Sequence, residues 1–204
     1  MAAIRRQLAK DRVLALTYDD GPSSTLTPQL LDLLHQRAVH ATFFMLGRNA
    51  KLHSGIADRV AQEGHEIGCH SYAHLNAWKT LPARVVADID AGYEGLSAWI
   101  QPDAPFRPPY GKMTLPTFWS IRHRRAPVWW WTIDSRDTNL EIPRPSEIAD
   151  RLSTDGGGIV LMHDLHEWNC QQRRVDFVLE VTNSLLDVAR QKSLRVLTLK
   201  ELSR

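Results

Sequence analysis

A chain of 204 residues, 43% apolar and 24% charged, is long enough to bury one core without disulfide or metal staples. A formal charge of +2, with basic runs as short as Arg122 to Arg125, argues against a nucleic-acid partner, and two cysteines, Cys69 and Cys170, make no disulfide framework. The N-terminal MAAIRRQLAKDR lacks the continuous apolar stretch of about 7–15 residues of a signal peptide, and no run approaches the roughly 20 of a membrane span; a cytoplasmic chain without a transmembrane segment is expected, and a leader removed beforehand is compatible with the sequence.

From the N-terminus onward, short apolar runs alternate with amphipathic stretches. RVLALTY (Arg12 to Tyr18) predicts a buried strand, and TPQLLDLLHQR predicts a helix with Thr27 as N-cap and Pro28 at its first position. ATFFM (Ala41 to Met45) predicts a second strand, GIADRVAQEG a helix stopping at Gly64, and HEIGCH (His65 to His70) a third strand. Val85, Val86, Ile89, Tyr93, Leu96 and Ile100 mark one face of a longer helix. APVWWWTID (Ala126 to Asp134) and GGIVLMHD (Gly157 to Asp164) read as strands, the second almost wholly apolar. Val175, Val178, Leu179, Thr182, Leu185, Leu186 and Ala189 outline a last helix, and LRVLTL a closing strand.

Apolar strands alternating with helices are parallel and buried on both faces, which leaves an open doubly wound sheet or a (β/α) barrel. In either, functional groups gather at the carboxyl ends of the strands. Asp19, Asp20, His70, Asp134, Asp137 and His163 all fall there. No repeat, low-complexity segment or linker divides the chain, so one domain is expected over 1–204, with its core at about 12–202.

His70 and His74 form HSYAH, and imidazoles four residues apart share one face of a helical turn and reach a single metal. A carboxylate from another strand end completes three ligands and leaves a position open for water, as a catalytic divalent metal requires. DDGP alone reads as a turn; beside such a metal, one of Asp19 and Asp20 serves as ligand and the other as general base, held ionised by the nearby cation. In FRPPYGK the prolines fix the backbone and so hold Arg107 in place to orient a carboxylate, although a proline-rich surface turn has the same look. His163, directly after a buried strand, suits proton donation to a leaving group, with Asp134 or Asp137 as the partner that raises its pKa.

In this order, TYDDGP, HSYAH, RPPYG, DSRD and LMH resemble the motifs of the polysaccharide deacetylases, the chitooligosaccharide deacetylase-like carbohydrate esterases (family 4, NodB homology). TPQLLDLL, ATFFMLG and EGHEIGCHSYAH are similar to the family's connecting segments, so the likeness spans essentially the whole chain. It implies a distorted, incomplete (β/α) barrel and metal-dependent hydrolysis of an N- or O-acetyl group on an oligo- or polysaccharide such as chitooligosaccharide or peptidoglycan. Carried over by residue, Asp19 is the general base, and Asp20, His70 and His74 are ligands of Zn2+, with Co2+, Ni2+ or Mn2+ as substitutes. Arg107 braces Asp19, and His163 is the general acid, its charge set by Asp134 or Asp137. The Tyr110 amide holds the oxyanion, Leu161 walls the acyl methyl group, and Pro109 and Trp131 complete the substrate contacts.

Thr138 stands where the family usually has an aromatic residue, Cys69 where it often has Asn, and Leu165 where Gly often follows HD. Trp129, Trp130 and Trp131 are candidates to replace the missing ring, with core packing expected for at least two of them. Trp78 and Trp168 are placed for sugar stacking. His65 is read as structural, and His35, His40, His53, His123 and His166 as surface or packing residues. Removal of formyl or another acyl group from a lipid- or nucleotide-linked amino sugar is a second reading. From other classes come a non-haem iron oxygenase, which leaves Asp19 without a task, and an inactive sugar-binding module, at odds with the retained reactive residues.

Overall fold

The computed structural model describes residues 2–164 and 172–203, so Leu165, His166, Trp168 and Cys170 lie outside the described residues. The apolar run Val13–Asp19 (β1) is buried at every position because it is the centre of the sheet. On one side it pairs in parallel with Gly158–His163 (β5) from Leu14 to Asp19. On the other it meets Thr42–Met45 (β2) over Thr17 to Asp19, and Arg195–Val196 (β6) at Val13 and Leu14. Glu66–Cys69 (β3) pairs with β2, and Ile133–Asp134 (β4) with β5. Single parallel bridges, Cys69 to Phe106 and Phe106 to Val128, carry the pairing from β3 toward the segment that leads into β4. This partial return toward β5 makes the sheet a distorted, incomplete (β/α) barrel.

Register decides where the chemistry lies. Asp19 stands opposite Phe44 on one side and His163 on the other, and His70 directly follows β3. Parallel pairing thus brings groups from distant parts of the sequence to one carboxyl edge.

The helices cover the strands with the faces their spacing predicts. Gln172–Gln191 (α8) buries Val175, Val178, Val181, Leu185 and Ala189, and its Thr182 hydroxyl lies 2.9 Å from the Tyr18 hydroxyl. Leu26–Gln36 (α2) buries Leu30, Leu31 and Leu34, and Pro82–Gly95 (α5) buries Val85, Ile89 and Tyr93. Each fully buried side chain of this size contributes about 1.5–3 kcal/mol. Around these lie Gly47–Leu52 (α3), Ser54–Gln62 (α4), Leu115–His123 (α6), Pro145–Asp155 (α7) and Leu199–Leu202 (α9). No helix among the described residues is long and apolar enough to cross a membrane.

Several local expectations are corrected. A helix, Ala2–Asp11 (α1), precedes β1 and buries only Leu8, too little apolar face for the sequence pattern to reveal. Thr27 is inside α2, not its cap: its hydroxyl accepts the Ser23 N–H (2.8 Å) and donates to Asp164 (2.7 Å). The 126–134 stretch pairs only at Val128 and β4, and the closing strand is two residues long because the chain turns into α9. His70 and His74 are not on a helical turn. They flank a loop in which Ser71 (φ 70°) and His74 (φ 62°) adopt left-handed backbone.

Candidate active site

The two aspartates diverge because the strand ends between them. Asp19 is the last residue of β1 and is 2% exposed, whereas Asp20 turns out of the sheet with φ 77°. Arg107, wholly buried, donates from Nη1 to Asp19 Oδ1 (2.8 Å) and to the Thr17 hydroxyl (2.7 Å). Its guanidinium lies over the Phe44 ring at 4.3 Å, a stacked position that lysine cannot reproduce. Burial pushes the Asp19 carboxyl above the usual carboxylate range, and Arg107 pulls it only part of the way back. Among the protein groups alone, desolvation thus outweighs the guanidinium charge.

Asp20 Oδ1 lies 3.4 Å from His70 Nε2 and 3.3 Å from His74 Nε2, and the three side chains form a group able to hold a metal ion. The fit is specific. Asp20 Oδ1 is buried with no hydrogen-bond partner, an arrangement that costs free energy without a cation. A tetrahedral Zn2+ with bonds of about 2.0–2.1 Å holds its ligands roughly 3.3 Å apart. His70 Nδ1 lies 2.7 Å from the Arg107 carbonyl, which only accepts, so Nδ1 carries the hydrogen and Nε2 keeps its lone pair toward Asp20. Burial lowers the His70 pKa to about 3, despite the nearby Asp20, so protons do not compete for that lone pair at neutral pH.

Near Asp19, at the end of β5, His163 donates its Nδ1–H to Asp137 Oδ1 (2.8 Å) and its backbone N–H to Oδ2 (2.7 Å). Burial opposes the imidazolium, but the Asp137 charge and hydrogen bond prevail and raise the pKa to about 10. The partner is Asp137 and not Asp134. Asp134 ends β4 with its side chain exposed and caps the Arg136 N–H (2.8 Å), while left-handed Arg136 (φ 58°) reverses the chain and returns Asp137 to the site.

Asp19, Asp20, His70, His74 and His163 line a cleft of about 660 Å³ together with Pro108, Tyr110, Trp131, Thr138 and Leu161. Tyr110 has left-handed backbone (φ 57°) and packs its ring 4.5 Å from that of His74. Pro109 does not reach the cleft: it is buried and faces Ser71, Leu75 and Phe106, so the expectation of a substrate contact is corrected. Of the three tryptophans, Trp129 packs on the core, Trp130 is exposed with its N–H on the Gly111 carbonyl (3.1 Å), and Trp131 lines the cleft. Core packing thus accounts for one of them, not two. Trp78 is 68% exposed, with its N–H on the Met113 carbonyl (3.2 Å), and does not line the cleft. A second cavity of about 650 Å³, bordered by His40, His65, Glu66 and Lys200, lies at the amino end of β3 and shares no residue with the site.

Residues 6–124 match the family described as polysaccharide deacetylase. The chain belongs to the polysaccharide deacetylase family. It is 35% identical over 158 residues to a peptidoglycan-N-acetylglucosamine deacetylase of Bacillus cereus, covering 76% of this chain and 73% of that one. It is 31% identical over 210 residues to a chitin deacetylase of Colletotrichum lindemuthianum, with 96% and 81% covered. The chain spans only 33% of the longer peptidoglycan deacetylase PgdA of Listeria monocytogenes, so the match there is to part of that protein. Among solved structures, the Bc1960 peptidoglycan N-acetylglucosamine deacetylase superimposes with a TM-score of 0.80 at 29% identity, over 95% of this chain and 88% of that one.

Several groups that hold this deacetylase-family site in shape were not singled out from the sequence. Asp164 accepts the Gly21 N–H (2.9 Å) and the Thr27 hydroxyl, and its own N–H donates to the Asp19 carbonyl (3.0 Å). A Cβ at Gly21 would overlap the Asp164 carboxylate, which is why glycine follows the aspartates. Asn49 donates to the Asp20 carbonyl (2.7 Å). Asp88 holds the His70–His74 loop by accepting the Ala73 N–H (2.9 Å). A carboxylate on the apolar face of α5, between Val85 and Ile89, was the available signal for Asp88.

His65, by contrast, is structural. Its Nδ1 accepts the Ala41 N–H (3.1 Å), and burial lowers its pKa to about 4. The unfolded chain takes up this proton near pH 6.5 and the folded chain does so only near 4. Its stabilisation is therefore fully present above about pH 6.5 and is lost as pH falls toward 4, on the order of 2 kcal/mol. Urea unfolding of His65→Gln is expected to show a shallower loss of stability across that window than the parent.

Proposed function

We propose that the chain removes an N-acetyl group from an amino sugar of an oligo- or polysaccharide by metal-assisted hydrolysis. The supporting observation is the grouping of Asp19 on Arg107, the unpartnered Asp20 oxygen between His70 and His74, and His163 on Asp137 around one cleft. Asp20, His70 and His74 would hold a divalent cation, most suitably Zn2+, which when bound polarises the acetyl carbonyl and acidifies the attacking water.

Asp19 takes a proton from the attacking water as its oxygen bonds to the acetyl carbon. Arg107, donating to Asp19 Oδ1 at 2.8 Å, orients the carboxylate for that transfer. The Tyr110 amide, fixed by left-handed backbone, supports the oxyanion. His163, protonated at neutral pH, gives its proton to the nitrogen as the carbon–nitrogen bond breaks, releasing acetate and a free amine. Leu161 and Trp131 wall the acyl group.

Acetate release from acetylated chitooligosaccharides, xylan and peptidoglycan fragments, with and without added zinc, tests the reading; no acetate from any of them would sink it. Thr138 is exposed at the cleft where an aromatic side chain would narrow it, which leaves room for other acyl groups. Comparing formyl, acetyl and longer acyl substrates separates these. Replacing Asp137 with asparagine removes the charge that holds the His163 proton. The alkaline limb of kcat is expected to move down by about 1–3 pH units, and an unmoved limb would remove Asp137 from that role.

A further inference from the structure

Two guanidinium groups border the cleft without belonging to the chemistry just described. Arg48, second residue of α3, is half-buried and lines the cleft with Asp20, Ala73 and His74. Its Nε is closed off from solvent and has no hydrogen-bond partner, and no carboxylate pairs with it among the described residues. Arg174, on the first turn of α8, lines the same cleft; its Nη2 donates to the Asn139 carbonyl (3.2 Å), and it has no carboxylate partner among the described residues.

The anions of the cleft are already engaged. Asp19 is held by Arg107, Asp137 by His163, and Asp20 lies between two imidazoles. Lys112, the neighbouring cation, rests over the rings of Trp78 (4.8 Å) and Tyr110 (5.9 Å). A guanidinium that borders a cleft without a carboxylate partner is poorly compensated by the protein; Arg48 Nε is closed off, so it is the outer Nη1 and Nη2 edge that offers a planar carboxylate paired bonds.

We propose that Arg48 and Arg174 recognise a carboxylate on the glycan beside the N-acetyl sugar, so that the preferred substrate is a carboxylate-bearing glycan and not neutral chitin. This inference rests on the deacetylase reading. Two sources present the same chemistry: a lactyl ether on an amino sugar, and the ring carboxylate of a uronic acid.

The test uses the zinc-loaded chain and reads kcat/KM for acetate release from four glycans. These are a neutral chitooligosaccharide, an oligosaccharide of alternating N-acetylglucosamine and N-acetylmuramic acid, the methyl ester of the latter, and a hyaluronan oligosaccharide. One of the carboxylate glycans is expected to exceed both the chitooligosaccharide and the ester by about tenfold or more, and Arg48→Gln to bring that ratio close to one. Arg48→Lys, which keeps charge but loses the fork, falls between, and Arg174→Gln lowers the same ratio. A ratio unchanged by Arg48→Gln, or a preference for the neutral glycan, overturns the proposal. If the parent releases acetate from none of the four, the deacetylase reading fails instead. Calorimetric binding of the same glycans then decides the point: a carboxylate-dependent affinity lost in Arg48→Gln upholds the recognition site, and equal affinities overturn it.

Discussion

Asp19→Asn is expected to lower kcat for acetate release by about 10²–10⁴-fold, the usual contribution of a positioned general base. Asparagine matches aspartate in size and still accepts the Arg107 Nη1–H that Asp19 receives at 2.8 Å, so the cleft keeps its shape. What it lacks is a site for the proton of the attacking water. The substitution also removes one charge from a buried pair and leaves the Arg107 guanidinium without its counter-ion, at a cost of about 3–5 kcal/mol in stability. Measuring kcat, the unfolding midpoint and zinc affinity on the same protein separates these effects. Asp20, His70 and His74 are untouched, so zinc should still bind while turnover falls. Parental kcat in a folded Asp19→Asn protein would remove Asp19 from the base role.

Metal removal is the second large effect. Dialysis against a chelator is expected to abolish acetate release, and zinc to restore it. It should also lower the melting temperature: an ion that binds only the folded state adds about 4 kcal/mol at a free concentration of 1,000 Kd. The reason is local. Asp20 Oδ1 is buried, has no hydrogen-bond partner, and faces two imidazole nitrogens at 3.3 and 3.4 Å, so a cation there would satisfy an acceptor that the protein does not. Asp20→Ala should abolish the zinc-dependent rise in melting temperature. A rise that survived in this variant would mean that the ion sits elsewhere.

The site depends on backbone shape as much as on side chains. Asp20, Ser71, His74 and Tyr110 are all left-handed, a conformation that non-glycine residues hold only where surrounding contacts fix it. Those contacts are identifiable. Asn49 holds the Asp20 carbonyl, Asp164 the Gly21 amide, and Asp88 the Ala73 amide. The close approach of Gly92 to Ser71, where any Cβ would overlap the backbone, lets α5 press against the histidine loop. Strain at the site is thus carried by hydrogen bonds from buried polar groups on neighbouring elements.

The sequence by itself determined the parallel α/β architecture, because Val13 to Leu16 and Ile159 to Met162 are apolar without alternation and so must be covered on both faces. It also pointed to the candidate set, since Asp19, Asp20, His70, His74, Arg107 and His163 follow one another in a recognisable motif order. Only the tertiary structure decided between Asp134 and Asp137, because one left-handed residue, Arg136, exposes the first and returns the second to His163. The structure likewise removed Pro109 from the cleft, replaced the helical turn at His70–His74 with a loop, and brought Arg48 and Arg174 to its border. The physical reason is range. Periodicity reports which face of an element is buried, whereas the pairing of Arg107 with Asp19, 88 residues apart, is set by strand register and by loops whose conformation has no periodic signature.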